Sequence, residues 1–304
     1  MSIVEKAAEK LKALQQLGLQ ASPPVESESP HPTPAIERLQ ERVRSGDQGG
    51  ETESPPWHID HMALKRAGLL AVDEKANDRL ADEVRRIKRP LMRNAMGKGV
   101  EAPVNAARIM VTSAVPGEGK TFTAVNLALS LAREPDFEVL LVDGDIPKAH
   151  VTRVLGLEKH PGLMDVLVDE RRHPDEVVVR TDISNLLVVP VGDRHRLTAE
   201  LFGSLRMDYA LEELGGRNRR RLVVFDSSPL LATSEAQVLA SHMGQVVVVV
   251  AAGRTGQHLV NAALERLDNA QYVGLILNMS RLPASENHYD NYYGQYARLS
   301  QGEA

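Results

Sequence analysis

The stretch Ala114-Val115-Pro116-Gly117-Glu118-Gly119-Lys120-Thr121 follows an apolar run at Ile109, Met110 and Val111 and precedes helical spacing at Val125, Leu127 and Leu131. Strand, glycine-rich loop and helix in that order form a phosphate-binding loop. Backbone N–H groups at the helix N-terminus receive a polyphosphate, a lysine reaches its β- and γ-oxygens, and a hydroxyl serves Mg²⁺. Gly117, Gly119, Lys120 and Thr121 supply these parts. The usual first glycine of such a loop is Ala114 here, which a small residue tolerates if its φ stays negative.

Outward from this loop, strand and helix signals alternate from about Arg108 to Met279. Strands are expected at 108–113, 138–142, 185–189, 221–226, 245–251 and 273–278, all β-branched and nearly continuous in apolar residues. That composition suits a parallel sheet covered on both faces. The most regular helices are expected at 120–133, 199–214, 234–242 and 256–269. The fold class is therefore α/β, a doubly wound and mostly parallel sheet of the P-loop NTPase kind, with its ligand site at the carboxyl ends of the strands.

Two acidic segments fall at such ends. Val139-Leu140-Leu141-Val142 runs into Asp143-Gly144-Asp145, and Leu222-Val223-Val224-Phe225 runs into Asp226. Carboxylates there can hold Mg²⁺ and its waters or accept a proton from an attacking hydroxyl. The alternative is turn chemistry, since Asp and Gly commonly close strands.

Composition sets wider bounds. The 304 residues allow one large α/β domain with extra segments, or two smaller domains. A net charge of -5 and a pI near 6.1 argue against a general nucleic-acid binder, so no nucleic-acid partner is expected. The absence of cysteine excludes disulfides, thiolate metal sites and a cysteine nucleophile. No apolar run reaches the roughly 18 to 20 residues that span a bilayer, so a soluble protein brought to any membrane by a partner is expected.

At the N-terminus Ile3, Ala7, Leu11 and Leu14 stand at helical spacing, either a frayed segment or a tethering helix that docks on a partner or membrane surface. Residues 21–56 hold seven of the 17 prolines and too few apolar groups to offset ordering entropy, which reads as a linker. Four of the six tyrosines, Tyr289, Tyr292, Tyr293 and Tyr296, lie in a polar C-terminal stretch with no amphipathic period. They form either mobile groups able to reach a neighbour's site or an aromatic patch. Glu83-Val84-Arg85-Arg86-Ile87-Lys88-Arg89 places Glu83, Arg86 and Arg89 along one side of a helix, either a solvated basic face or an interface.

The apolar run ending in Asp143-Gly144-Asp145 resembles the second motif of the deviant-Walker ATPases, and Asp226-Ser227-Ser228-Pro229 resembles their Walker B motif. Partition and septum-site members carry a signature lysine where this chain has Val115. Pro116-Gly117-Glu118-Gly119-Lys120-Thr121 instead resembles the loop of bacterial tyrosine autokinases, the BY-kinases. The tyrosine-rich end and the Glu-x-x-Arg-x-x-Arg spacing from Glu83 to Arg89 are similar to further features of that family. Pro90, Leu91 and Met92, with the N-terminal helix and linker, are similar to the exosortase-associated autokinases of exopolysaccharide loci.

The resemblance implies an amphipathic helix (1–20), a disordered linker (21–56), a helical oligomerisation segment (57–100), a P-loop kinase domain (101–281) and a tyrosine-rich tail (282–304). It implies ATP and Mg²⁺ as cofactors. Pro116, Gly117, Glu118, Gly119, Lys120, Thr121, Phe122 and Asn278 would bind the nucleotide, Asn278 being equally readable as a turn residue. Thr121, Asp143 and Asp226 would serve the metal. Lys120, Asp143, Asp145 and Asp226 would be catalytic, with Asp145 as the base. Tyr289, Tyr292, Tyr293 and Tyr296 would accept phosphate in trans within a ring or head-to-tail homo-oligomer joined through Glu83, Arg86 and Arg89.

A membrane chain-length regulator with an activating cytosolic tail would be the partner, with a cognate tyrosine phosphatase as a possible second. The location would be cytoplasmic, at the inner face of the cytoplasmic membrane. Two departures stand out: Ile146-Pro147-Lys148 where the family often has arginine, and Ser227-Ser228-Pro229 after Asp226 in place of a double proline. Arg194, His195 and Arg196 form a cationic cluster that either touches phosphates or a neighbour, or is solvated. The competing readings are an ATP-switched assembly or positioning ATPase without tyrosine kinase activity, and a scaffold that binds nucleotide but turns it over poorly.

Overall fold

The computed structural model describes residues 55–70, 74–98, 103–215, 220–267 and 272–280. The expected N-terminal helix, the linker up to residue 54 and the tail with its four tyrosines lie outside these residues. Seven strands form one sheet: β1 (Arg108–Ser113), β2 (Glu138–Gly144), β3 (Val179–Arg180), β4 (Leu186–Val189), β5 (Arg221–Ser227), β6 (Gln245–Ala251) and β7 (Tyr272–Asn278). Their order is β3-β4-β2-β5-β1-β6-β7, parallel throughout except for the short antiparallel β3. The six expected strands are all present, and β3 is the one added. Two residues are too few to leave an alternating pattern in the sequence.

Each buried strand feeds two cores, because successive side chains point to opposite faces. Met110, Leu140, Val142, Val223, Phe225, Val246 and Val248 pack on one side, and Ile109, Val111, Val139, Leu141, Val224, Val247 and Val249 on the other. Helix α1 (His61–Arg66), α2 (Glu74–Ala95) and α3 (Lys120–Leu131) contribute to the second core through Leu64, Val84, Leu91, Val125, Leu127 and Leu131. Helix α4 (His150–Val154) joins them through Val151. The first core takes α5 (Leu163–Val168), α6 (Thr198–Phe202), α7 (Leu205–Gly215), α8 (Ser234–Ser241) and α9 (Gln257–Leu264).

One expected helix, 199–214, is broken into α6 and α7. Gly203 ends α6, and Ser204 both donates its hydroxyl to Leu201 O and accepts the N–H of Met207, so one side chain closes the first helix and opens the second.

Residues N-terminal to β1 share the sheet's core. Trp57 bridges to Thr181 beside β3 and donates its indole N–H to Leu155 O at 2.8 Å, and Asp60 caps α1 by accepting from the N–H groups of Met62 and Ala63. Along α2, Val84, Lys88 and Leu91 turn inward, Lys88 reaching Ser130 O and Glu134, while Glu83, Arg85, Arg86 and Arg89 remain exposed. The Glu83/Arg86/Arg89 side of the helix therefore faces away from the core.

A buried amide fastens α2 to the sheet. Gln245, fully buried at the start of β6, accepts from Asn94 Nδ2 at 2.9 Å and donates to Leu91 O and Ala106 O. Gln245→Leu keeps the volume but strands those partners. Urea unfolding is expected to register a loss of about 2–3 kcal/mol.

Candidate active site

The parallel register sets Asp143 beside Asp226 and Gly144 beside Ser227 at the carboxyl ends of β2 and β5, with β1 next to β5 delivering the phosphate loop. Gly117 and Gly119 both adopt left-handed backbone, at φ 86° and 95°. A Cβ on Gly119 would lie 2.1 Å from Asn278 Nδ2, so this position admits no other residue without displacing Asn278. Gly119 is also the N-cap of α3 and no side chain caps that helix, which leaves its first-turn N–H groups for an anion.

A cavity of about 410 Å³ opens there, lined by Gly117, Gly119, Lys120, Thr121, Phe122 and Asn278 together with Lys148, His150 and Met279. Gly68 and Leu69, after α1, close one side, held by Asn126 Nδ2 donating to Leu69 O. Two of the four non-glycine residues with left-handed backbone among the described residues, Ala149 and Met279, flank this cavity. A larger cleft of about 840 Å³ lies among Lys65, Val84, Arg133 and Asn185, and its lining includes none of the phosphate-loop residues and none of the three strand-end aspartates.

Lys120 binds the acidic residues together. Its Nζ donates to Asp145 Oδ2 at 2.5 Å, stands 3.6 Å from Asp226 Oδ1 and lies 3.3 Å from the Thr121 hydroxyl. Burial works to lower the Lys120 pKa, but Asp226 and Asp145 outweigh it and the pKa is raised. Asp145 Oδ1 accepts from the Ser228 hydroxyl at 2.8 Å. Asp143 is occupied differently: Oδ2 accepts from both the N–H and the hydroxyl of Thr152, each at 2.8 Å, and burial raises its pKa to about 6 against these bonds.

Asp226 is the exception. Both its oxygens are buried and meet no described group in full hydrogen-bond geometry, while the Thr121 hydroxyl beside the carboxylate works to lower its pKa. Burial raises its pKa to about 7, with Lys120 opposing and Asp143 reinforcing the rise. A buried carboxylate with free lone pairs beside a threonine hydroxyl is a fitting donor set for a hard divalent cation. Among the described residues no three acidic, cysteine or histidine side chains are grouped to hold a metal.

The expected site residues from the loop, from β2 and from β5 thus meet in one place. Pro116 and Glu118 do not line the cavity, and neither do Asp143, Asp145 and Asp226, which lie buried, the last two beside Lys120. The Glu118 carboxylate is buried and accepts from Val115 N–H, Ala251 N–H and the Thr255 hydroxyl. Arg194, His195 and Arg196 sit in an exposed loop, His195 accepting the N–H of Leu197. Sequence reasoning missed Thr152, which holds Asp143, His150 on the cavity wall, and the use of Ser228 to hold Asp145. Only Ser228 had a local signal, its place two residues after Asp226.

The model of the AAA domain family matches residues 107–273. Tyrosine-protein kinase YwqD of Bacillus subtilis is 33% identical over 189 residues, covering 61% of this chain and 77% of YwqD. The succinoglycan biosynthesis transport protein ExoP of Rhizobium meliloti is 32% identical over 225 residues, covering 72% of this chain, which spans only 27% of ExoP. Among solved structures, the kinase domain of VpsO superposes with a TM-score of 0.51 at 31% identity, covering 58% of this chain and 85% of that domain.

Proposed function

Because this chain belongs to the bacterial tyrosine-protein kinases built on the AAA domain, we propose that it transfers the γ-phosphoryl group of ATP to Tyr289, Tyr292, Tyr293 and Tyr296 of a neighbouring copy. Its role would be to regulate the polymerisation and export of an exopolysaccharide, in keeping with its similarity to the succinoglycan biosynthesis transport protein ExoP. The observation that carries the reading is the convergence of Lys120, Asp145 and Asp226 beside the phosphate loop, Asp226 closing no hydrogen bond with a described group.

Lys120 neutralises Asp145 and Asp226. A triphosphate on the loop competes for that ammonium, and as Lys120 turns to the β- and γ-oxygens it releases Asp145 Oδ2. Asp145, still held by Ser228 through Oδ1, then accepts the phenolic proton while the phosphoryl group transfers in line. Thr121 and Asp226, with Asp143 behind them, would hold Mg²⁺, which would supply charge neutralisation on the phosphates. Lys148 at the cavity wall would provide the charge that the family more often takes from an arginine, as a point contact and not a fork.

The exposed Glu83, Arg86 and Arg89 on α2 would pair with a neighbouring copy in a ring or head-to-tail array, a heterologous contact that brings one copy's tail to the next copy's site. Accumulated phosphotyrosine, at about -1.5 to -2 charge each, would loosen that array. No helix among the described residues is long and apolar enough to cross a membrane. A membrane chain-length regulator would recruit and activate the protein, with a phosphatase resetting the tail.

Mixing two inactive variants tests the reaction in trans. Lys120→Met keeps the tail but not the lysine, and a variant with the four tail tyrosines changed to Phe keeps the site but not the acceptors. Incubated together with ATP·Mg²⁺, they are expected to place phosphate on the Lys120→Met chain. No transfer from a mixture whose parent phosphorylates itself would assign the reaction to a single chain.

A further inference from the structure

Glu118 lies within the phosphate loop, is 2% exposed and has its side chain turned away from the cavity. Its Oε2 accepts the N–H of Val115 at 2.7 Å, at the loop's own start. Its Oε1 accepts the N–H of Ala251 at 3.2 Å and the hydroxyl of Thr255 at 2.5 Å, at the end of β6 and the turn before α9. The Glu118 carbonyl accepts from Asn278 Nδ2 at 2.8 Å, and Asn278 O in turn accepts the N–H of Ala252. One residue therefore joins the phosphate loop to itself, to β6 and to the last residue of β7, beyond which the chain continues to the tyrosines.

We propose that Glu118 is a positioning residue which holds the phosphate loop in its nucleotide-binding shape and makes the β6–α9 turn, residues 251–256, respond to nucleotide. The proposal rests on the nucleotide-binding part of the function above and does not need phosphate transfer. The chemistry requires a carboxylate of this length. Two oxygens accept from donors on opposite sides, whereas glutamine brings one oxygen and one NH₂, so that in either orientation a donor meets a donor. Aspartate is shorter by a methylene and cannot span the same three donors. Without the tie, nucleotide must order the loop at its own cost, and affinity falls.

The test is equilibrium binding of ADP·Mg²⁺ to the full chain, with hydrogen exchange followed in peptides covering 251–256. In the parent, ADP is expected to protect that turn even though the turn does not line the cavity. Glu118→Gln is expected to weaken ADP by about tenfold, as for loss of a charge-assisted hydrogen bond, and to abolish the protection at 251–256. Thr255→Val should weaken ADP by about threefold, Thr255→Ser should behave as the parent, and the double variant should bind about as Glu118→Gln does, because one linkage is broken twice.

In the kinase assay Glu118→Gln should raise KM for ATP more than it lowers kcat. ADP affinity within about twofold of the parent in Glu118→Gln, multiplying effects in the double variant, or no response of 251–256 to ADP in the parent would overturn the proposal. If Glu118→Gln does not fold, a Thr255→Val protein that matches the parent in both affinity and exchange overturns it equally. A parent that binds ADP as described but phosphorylates no tyrosine would overturn the kinase reading and leave this one standing.

Discussion

Asp226→Asn is expected to give a protein that is more stable than the parent and inert as a kinase. The carboxylate is fully buried, accepts no hydrogen bond from a described group, and has its pKa raised from 3.8 to about 7. A raised acid pKa means that the folded state resists ionisation. Between about pH 4 and 7 the unfolded chain has already released that proton while the folded chain keeps it, so stability falls as pH rises through this window and is level above it. Asparagine removes the penalty. With chelator present, thermal unfolding at pH 8 should rise by an amount corresponding to about 1–3 kcal/mol, and the gain should shrink toward pH 4. Autophosphorylation should fall by about 10²–10³-fold, because the cation loses a charged ligand where phosphate charge develops. A less stable Asp226→Asn protein would mean that the aspartate has a structural partner, and retained activity would remove it from the metal.

Lys120→Met is expected to fail in both respects. The ammonium is the only cation of a described residue within 4.0 Å of Asp145 and Asp226, both of which are almost wholly buried. Removing it leaves buried carboxylates unpaired, a change that costs about 3–5 kcal/mol when the charges cannot be relieved. Protonation relieves part of the loss, so the variant should be nearest the parent in stability at about pH 5 and furthest from it at pH 8. Autophosphorylation should fall by about 10³-fold or more, since the lysine acts on the transferring phosphoryl group itself. Combining Lys120→Met with Asp226→Asn should recover stability without recovering activity, and urea unfolding of the four proteins at pH 8 measures the coupling directly.

These opposite signs come from one arrangement, and how far it could be read from sequence differs by residue. The strands were legible because their signal is dense: Gln245-Val246-Val247-Val248-Val249-Val250-Ala251 has no other stable use than a strand buried on both faces. The loop was legible because phosphate binding demands glycine, lysine and a hydroxyl at fixed offsets. Asp143, Asp145 and Asp226 were legible as strand ends, and the parallel register placed Asp143 and Asp226 side by side.

Their separate environments were not legible. Thr152 lies nine residues beyond Asp143, and the Asp145–Ser228 and Lys120–Asp145 contacts join segments 83 and 25 residues apart in the chain. Nothing local to those residues distinguishes the satisfied aspartate from the unsatisfied one. Glu118 misled for a related reason: a residue inside a phosphate loop is presumed to face phosphate, whereas this side chain is drawn inward by Ala251 and Thr255, more than a hundred residues away in the chain. The division of 199–214 at Gly203-Ser204 was written in the sequence as a small residue followed by a capping residue, within an apolar spacing that otherwise runs through it.

The central claim is transfer of phosphate to the tyrosines that follow β7. Intact and tandem mass spectrometry of the purified chain after incubation with ATP·Mg²⁺ tests it most directly, beside Lys120→Met and the variant with four tail tyrosines changed to Phe. Successive additions of one phosphoryl group that map to Tyr289, Tyr292, Tyr293 and Tyr296, absent from both variants, are the predicted result. ATP hydrolysis with an unmodified tail, even when the activating tail of a membrane regulator is supplied, would contradict the account and make the protein an ATP-switched assembly factor.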